Sequence, residues 1–173
     1  MEIRILQAKD AKAYWNLRLV TLRENPESFL LTMEEELNRT FPLKRVSSQL
    51  KDPFRKTIGC FINGNLIGAV TLQRELYKKL KHKGSILSFF IKLEYRNRGI
   101  GRKMLQYIID LANEYELEQL TLSVVSTNTK AIRLYESFGF NVYGRESNSL
   151  KWNNRYYDEW HMILFIQEEI VGD

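Results

Sequence analysis

The sequence predicts an α/β fold: a mixed, mainly antiparallel twisted sheet with helices on both faces, in one domain over residues 1–173. Three observations carry this expectation. Two strand-like runs flank Asn63–Gly64 in "TIGCFINGNLIGAVTLQRE", and Asn-Gly favours the tight two-residue hairpin turn. "SILSFFIKLEY" is apolar at nearly every position, the pattern of a strand covered on both faces. Met104, Leu105, Ile108, Leu111 and Ala112 then recur at helical spacing, opposite Arg102, Lys103, Gln106, Asp110 and Asn113. That is an amphipathic helix packed on a sheet.

The remaining elements follow in order. "EIRILQ" alternates apolar and polar residues as a strand does. Asp10 can cap the helix that follows, which runs to about Glu24 and stops at Asn25–Pro26. Helical stretches are expected through "TMEEELNR" and "LKRVSSQL", before "KDP" breaks the pattern. Beyond the amphipathic helix, "LEQLTLSVV" reads as a strand. Ala131, Leu134, Tyr135 and Phe138 give a short helix that ends at Gly139. "FNVYGRESN" and "YYDEWHMILFI" close the chain as two strands, with a turn near Lys151–Asn154.

Bulk properties narrow the function classes. The 173 residues suffice for one core, and 44% hydrophobic with 27% charged residues is ordinary for a globular protein. The single cysteine, Cys60, sits in the apolar run "TIGCFI" and reads as a buried, inert thiol in a reducing compartment. "MEIRILQAKD" has no signal-peptide apolar region, and no run is long enough for a membrane span. A cytoplasmic protein without membrane partners is expected. His82 and His161 are isolated, so no metal-ligand spacing is present. The net charge of +5 fits a phosphate-bearing ligand as well as nucleic acid. Acids interleave the scattered basic residues, and "LYKKLKHKG" reads as a solvated loop. A nucleic-acid partner is therefore not expected.

"EYRNRGIGRKML" places Gly99 and Gly101 between a strand and a helix, with Arg96, Arg98, Arg102 and Lys103 around them. The unpaired N–H groups of a helix's first turn, its dipole and nearby cations together make a phosphate seat. G-x-x-x-x-G-K-[ST] does not occur, and Met104 stands where the dinucleotide fingerprint needs Gly or Ala. The phosphate belongs to another ligand.

"YRNRGIGRKML" resembles the R/Q-x-x-G-x-G/A acyl-CoA-binding motif of the GNAT superfamily of N-acetyltransferases. "NTKAIRLYESFGF", residues 128–140, is similar to that family's N-x-x-A-x-x-L-Y-x-x-x-G-F segment. "LRLVTLRENPESF" and "YYDEWHM" look like looser features of it. The resemblance implies acetyl-CoA as co-substrate, a primary amine as acceptor, and a possible homodimer. It implies that backbone groups of Phe89, Phe90 and Ile91 pair with the pantetheine arm in a splay between two strands. N–H groups of Arg98, Gly99, Ile100, Gly101, Arg102 and Lys103 would hold the pyrophosphate. Arg96 would support that loop or the phosphates, and Asn128 would contact the cofactor. Tyr135 would be the general acid for the leaving thiolate. Periodicity alone makes Tyr135 a core residue and Asn128 a helix N-cap.

One departure stands out. Many relatives carry a glutamate base five residues before the Asn; here that residue is Ser123. The resemblance points to Glu34, Glu35 and Glu36, in a segment that borders the acceptor site, or to Asp158 and Glu159 on the last strand. Each also reads as a solvated surface carboxylate. A non-catalytic acyl-CoA-binding or sensor module is the alternative function.

Overall fold

The computed structural model describes residues 1–166. Its strands are β1 (Glu2–Ile5), β2 (Arg55–Ile62), β3 (Asn65–Arg74), β4 (Lys83–Ile91), β5 (Gln119–Val125), β6 (Asn141–Trp152) and β7 (Arg155–Phe165). They form one sheet in the order β1-β2-β3-β4-β5-β7-β6. Every pairing is antiparallel except that of β4 with β5. The helices are α1 (Ala11–Glu24), α2 (Met33–Leu37), α3 (Pro42–Lys51), α4 (Ile100–Glu114) and α5 (Thr129–Glu136). None of the described helices is long and apolar enough to cross a membrane.

Turn chemistry sets both hairpins. Asn63 and Gly64 take φ of 49° and 77°, and Asn153 and Asn154 take 47° and 58°. Two successive left-handed residues give the turn whose twist matches its strands. α2 is shorter than its sequence pattern suggests. A capping box opens it: the Glu35 N–H donates to Thr32 Oγ1 at 3.1 Å, and the Thr32 N–H donates to Glu35 Oε2 at 2.7 Å.

Two expectations need correction. Asp10 occupies the N-cap position of α1 but its side chain makes no cap bond. Its carboxylate instead accepts Arg4 Nη1 and Nη2 at 2.7 and 2.9 Å and the Gln7 N–H at 2.8 Å. This stronger, charge-assisted pairing ties β1 to the chain entering α1. The run "SILSFFIKLEY" is not all strand: β4 ends at Ile91, and Leu93–Tyr95 form a short 3-10 turn. Nor is it covered throughout, since Leu87 is 38% exposed.

Strand alternation divides the core between the two faces of the sheet. Leu120, Leu122, Val124 and Met162 pack with Met104, Leu105 and Ile108 of α4 and Ile132 of α5. Complete burial of one such side chain contributes about 1.5–3 kcal/mol. On the other face, Tyr14 and Leu17 of α1 and Val46 and Leu50 of α3 cover Phe61, Leu66, Ala69 and Phe90. Ser123 and His161 alternate with the first set, so they point to the α1–α3 side.

β4 and β5 pair only over Lys83–Ser85 and Gln119–Thr121. Both strands continue beyond that point, to Ile91 and Val125. A wedge therefore opens between them toward the start of α4. β4 also carries a bulge: Ser88 has φ of 53°, and its register with β3 shifts between Ala69 and Thr71.

Candidate active site

The mouth of the wedge is built by the glycine loop. Gly99 takes φ of 72° as the N-cap of α4, a conformation that costs a side-chain-bearing residue about 1–2 kcal/mol. The first turn of α4 has no acid, and Arg98, Arg102 and Lys103 are exposed around it while Ile100 is buried. Gly101 sits in close quarters with two side chains. A Cβ there would lie 3.3 Å from Leu134 Cδ2 and 3.5 Å from Ile91 Cδ1. Arg102 Nη1 donates to Ser137 Oγ at 3.1 Å, linking α4 to α5. Arg96 turns inward, donating from Nε to the Ile91 carbonyl at 2.7 Å and stacking over Phe90. That bond clamps the loop to the end of β4. These positive groups and free amides can hold a diphosphate.

Tyr135 lies deeper on the α5 side. Its ring tilts against Phe89 at 6.3 Å and Phe140 at 5.8 Å, and 6% of it is exposed. Burial pushes its phenol far above the ordinary range, so it stays neutral and keeps a hydrogen to donate. Asn128 caps α5: its Oδ1 accepts the Ala131 N–H at 3.3 Å. The cap leaves its amide N–H groups for other partners.

A row of polar side chains crosses β5, β7 and β6 on the α1–α3 side. Ser123 pairs with His161 across β5 and β7. Ser123 Oγ lies 2.9 Å from His161 Nδ1, and His161 Nε2 lies 3.2 Å from Glu146 Oε2. An ionised carboxylate only accepts, which assigns the hydrogen to Nε2; in the neutral imidazole Nδ1 then accepts the Ser123 hydroxyl hydrogen. A proton arriving at Ser123 can thus pass to an imidazole backed by negative charge.

Residues 3–161 match the family described as the acetyltransferase (GNAT) domain. The chain belongs to the GNAT acetyltransferases. A spermine/spermidine N(1)-acetyltransferase of Bacillus subtilis (strain 168) is 29% identical over 137 residues, covering 75% of this chain and 89% of that protein. A probable acetyltransferase from Staphylococcus epidermidis ATCC 12228 is 25% identical with a TM-score of 0.79, over 96% of this chain and 99% of that one. YncA from Salmonella typhimurium, solved with its cofactor acetyl-CoA, has a TM-score of 0.79 at 20% identity, over 100% of this chain and 98% of its own. Members of the GNAT family use acetyl-CoA as acetyl donor.

Within this GNAT acetyltransferase the five acids of the sequence reading are scattered. Glu34 is exposed. Glu35 is engaged in the α2 cap, where the Thr32 N–H and hydroxyl hold its carboxyl below the usual range. Glu36 is buried, bound by Arg18 Nε at 3.1 Å and Arg39 Nε at 3.4 Å. Asp158 accepts from Arg145 and from the Asn148 N–H, which hold its carboxyl low. Glu159 Oε2 accepts the Ser149 hydroxyl at 2.6 Å. Only Glu159 shares the strand face of Ser123 and His161.

The row that sequence reasoning missed is His161 with Glu146. Ser123 carried no signal of its own, since it follows Gln119 and Thr121 on the polar phase of β5; His161, between Trp160 and Met162 on β7, was marked only as an isolated polar residue in an apolar run. Among the described residues no group of three or more His, Cys, Asp or Glu is placed to hold a metal.

Proposed function

We propose that this acetyltransferase transfers the acetyl group of acetyl-CoA directly to a primary amine, whose proton leaves through Ser123 to His161. The reading rests on the Ser123–His161–Glu146 row, 2.9 and 3.2 Å between partners. An alkylammonium has a pKa near 10.4, so it must be deprotonated before it can attack. A serine hydroxyl alone cannot hold that proton. Ser123 takes it while passing its own hydrogen to His161 Nδ1, and Glu146 neutralises the imidazolium.

The freed lone pair forms the C–N bond and places negative charge on the thioester oxygen. A backbone N–H near Ile91 is the proposed donor to that oxygen. Beyond Ser85 the outer edge of β4 has no β5 partner, which leaves groups of Phe89, Phe90 and Ile91 for the pantetheine arm. The N–H groups from Arg98 to Arg102 take the pyrophosphate, with the Lys103 side chain adding charge because its N–H donates to the Gly99 carbonyl at 3.2 Å; Arg96 holds their loop, and Asn128 faces the cofactor from the turn between β5 and α5. Collapse breaks the C–S bond. The nitrogen sheds its second proton, which balances the one the thiolate takes up.

Tyr135 sharpens the general-acid expectation. A free thiol has a pKa near 8.5, well below that of a buried phenol. Tyr135 therefore stabilises the thiolate by hydrogen bonding, and solvent supplies the proton. Cys60 offers no alternative nucleophile: it is fully buried, and burial raises its thiol pKa.

The test is incubation with acetyl-CoA, with and without a panel of alkyl amines, followed by thiol release and intact-protein mass. Direct transfer predicts thiol release only with an amine, and no acetylated protein. An acetyl group on Ser123 would replace direct attack by a two-step route. Acetyl-CoA binding with no turnover on any amine would support the sensor-module reading instead.

A further inference from the structure

A second pocket opens on the α1–α3 side, between the first helices and β4. Arg18, Arg39, Arg45 and Arg55 line it, with Glu36 and Ser88. Glu36, 4% exposed, is shared by Arg18 and Arg39. Arg45 and Arg55 have no ion-pair partner among the described residues. Four guanidiniums around one carboxylate leave a strong positive potential, which an anion would relieve. Glu36 is held as a spacer between two of them and is not free to bind a cation. Glu34 and Glu35, the acids that could have favoured a polyamine, do not line this pocket.

The pocket also has a position relative to the chemistry. Ser88 lies in its wall and directly precedes Phe89, where the proposed pantetheine segment begins. A molecule with its amine at the wedge can extend its other end among the arginines. We propose that the acceptor is an amine bearing an anionic group, a carboxylate or a phosphate, which docks on Arg45 and Arg55 with Arg18 and Arg39 behind them. The guanidinium fork suits both groups, since each presents paired oxygens. The proposal rests on the acetyl-transfer reading only for where the amine sits.

The experiment uses matched probes on the full chain saturated with CoA or acetyl-CoA. O-phosphoethanolamine is compared with ethanolamine, and β-alanine with propylamine, with spermidine as the polycationic comparator. Calorimetry reads binding and thiol release reads kcat/KM. The expected result is a preference of about tenfold or more for at least one anionic member over its neutral partner. Whichever pair shows it identifies phosphate or carboxylate. In an R45Q/R55Q double variant the preference should fall toward unity, through KM, with thermal stability unchanged. Neutral or polycationic amines that bind and react as well as both anionic probes, or anionic probes that do neither better, overturn the proposal. An anion preference in binding without any turnover would retain the pocket and sink the transfer reading. Turnover without that preference would do the reverse.

Discussion

Ser123 Oγ stands 2.9 Å from His161 Nδ1, across a strand pair in which the two residues are direct partners. The contact joins positions 38 apart in the chain. It places an imidazole behind a hydroxyl that could not serve as a base alone.

Removing that hydroxyl breaks the relay at its first link. Ser123→Ala should lower kcat by about 100-fold, the lower end of general-base contributions, with the affinity for acetyl-CoA unchanged. Ser123→Glu supplies a carboxylate that can take the proton itself and should recover part of the loss. Steady-state thiol release reads both variants. Ser123→Ala turning over within twofold of the parent would exclude the relay.

Tyr135→Phe keeps the ring against Phe89 and Phe140 and deletes only the donor. The variant should lose about tenfold or more in kcat, with little change in thermal stability or in acetyl-CoA affinity. Burial holds the Tyr135 phenol far above its ordinary range. The parent's pH–rate profile should therefore show no loss from its ionisation up to about pH 10. An unchanged kcat in Tyr135→Phe removes the residue from the mechanism.

Gly99 and Arg96 test the cofactor loop separately. Gly99→Ala forces a Cβ into φ of 72° and should cost about 1–2 kcal/mol of stability. Nothing lies within 4 Å of that Cβ, so the cost is backbone strain without a clash. Arg96→Ala removes the clamp on the Ile91 carbonyl and should weaken acetyl-CoA binding while leaving the rest of the fold intact. Calorimetry and thermal melts separate the two outcomes.

Asp10 predicts a pH-dependent stability term. The Arg4 guanidinium, then the Gln7 N–H, hold its carboxyl below the usual range against the opposing effect of burial. A depressed folded-state pKa stabilises the fold above the unfolded carboxylate value, near 3.9. That contribution is lost as pH falls through the lower, folded value. Asp10→Asn should reduce unfolding free energy by about 1–3 kcal/mol at pH 7, and the gap should close below about pH 4. Denaturant melts at pH 7 and pH 3 check the sign.

Much of the fold was legible because its signals are local. Asn63–Gly64 and the helix-spaced apolar residues of α4 need only their neighbours in sequence to declare themselves. The Gly99–Gly101 loop did too, together with the Asn128–Phe140 motif. His161 did not, because its meaning comes from the register of β5 on β7. Glu146 reaches it only because β6 slips between Val142 and Gly144. The run Glu34–Glu36 was illegible for another reason. α2 has five residues, too few for a periodic pattern to tell that Glu36 alone turns inward. The arginine pocket draws on α1, α3, β2 and the chain around α2, which only the tertiary fold brings together.

The proton relay is tested most directly by chemical rescue. His161→Ala should lose about 10²–10⁴-fold in kcat while binding acetyl-CoA as the parent does, and added imidazole should restore part of the rate in proportion to its concentration. A variant that turns over within twofold of the parent, or one that imidazole leaves unchanged, would contradict the account.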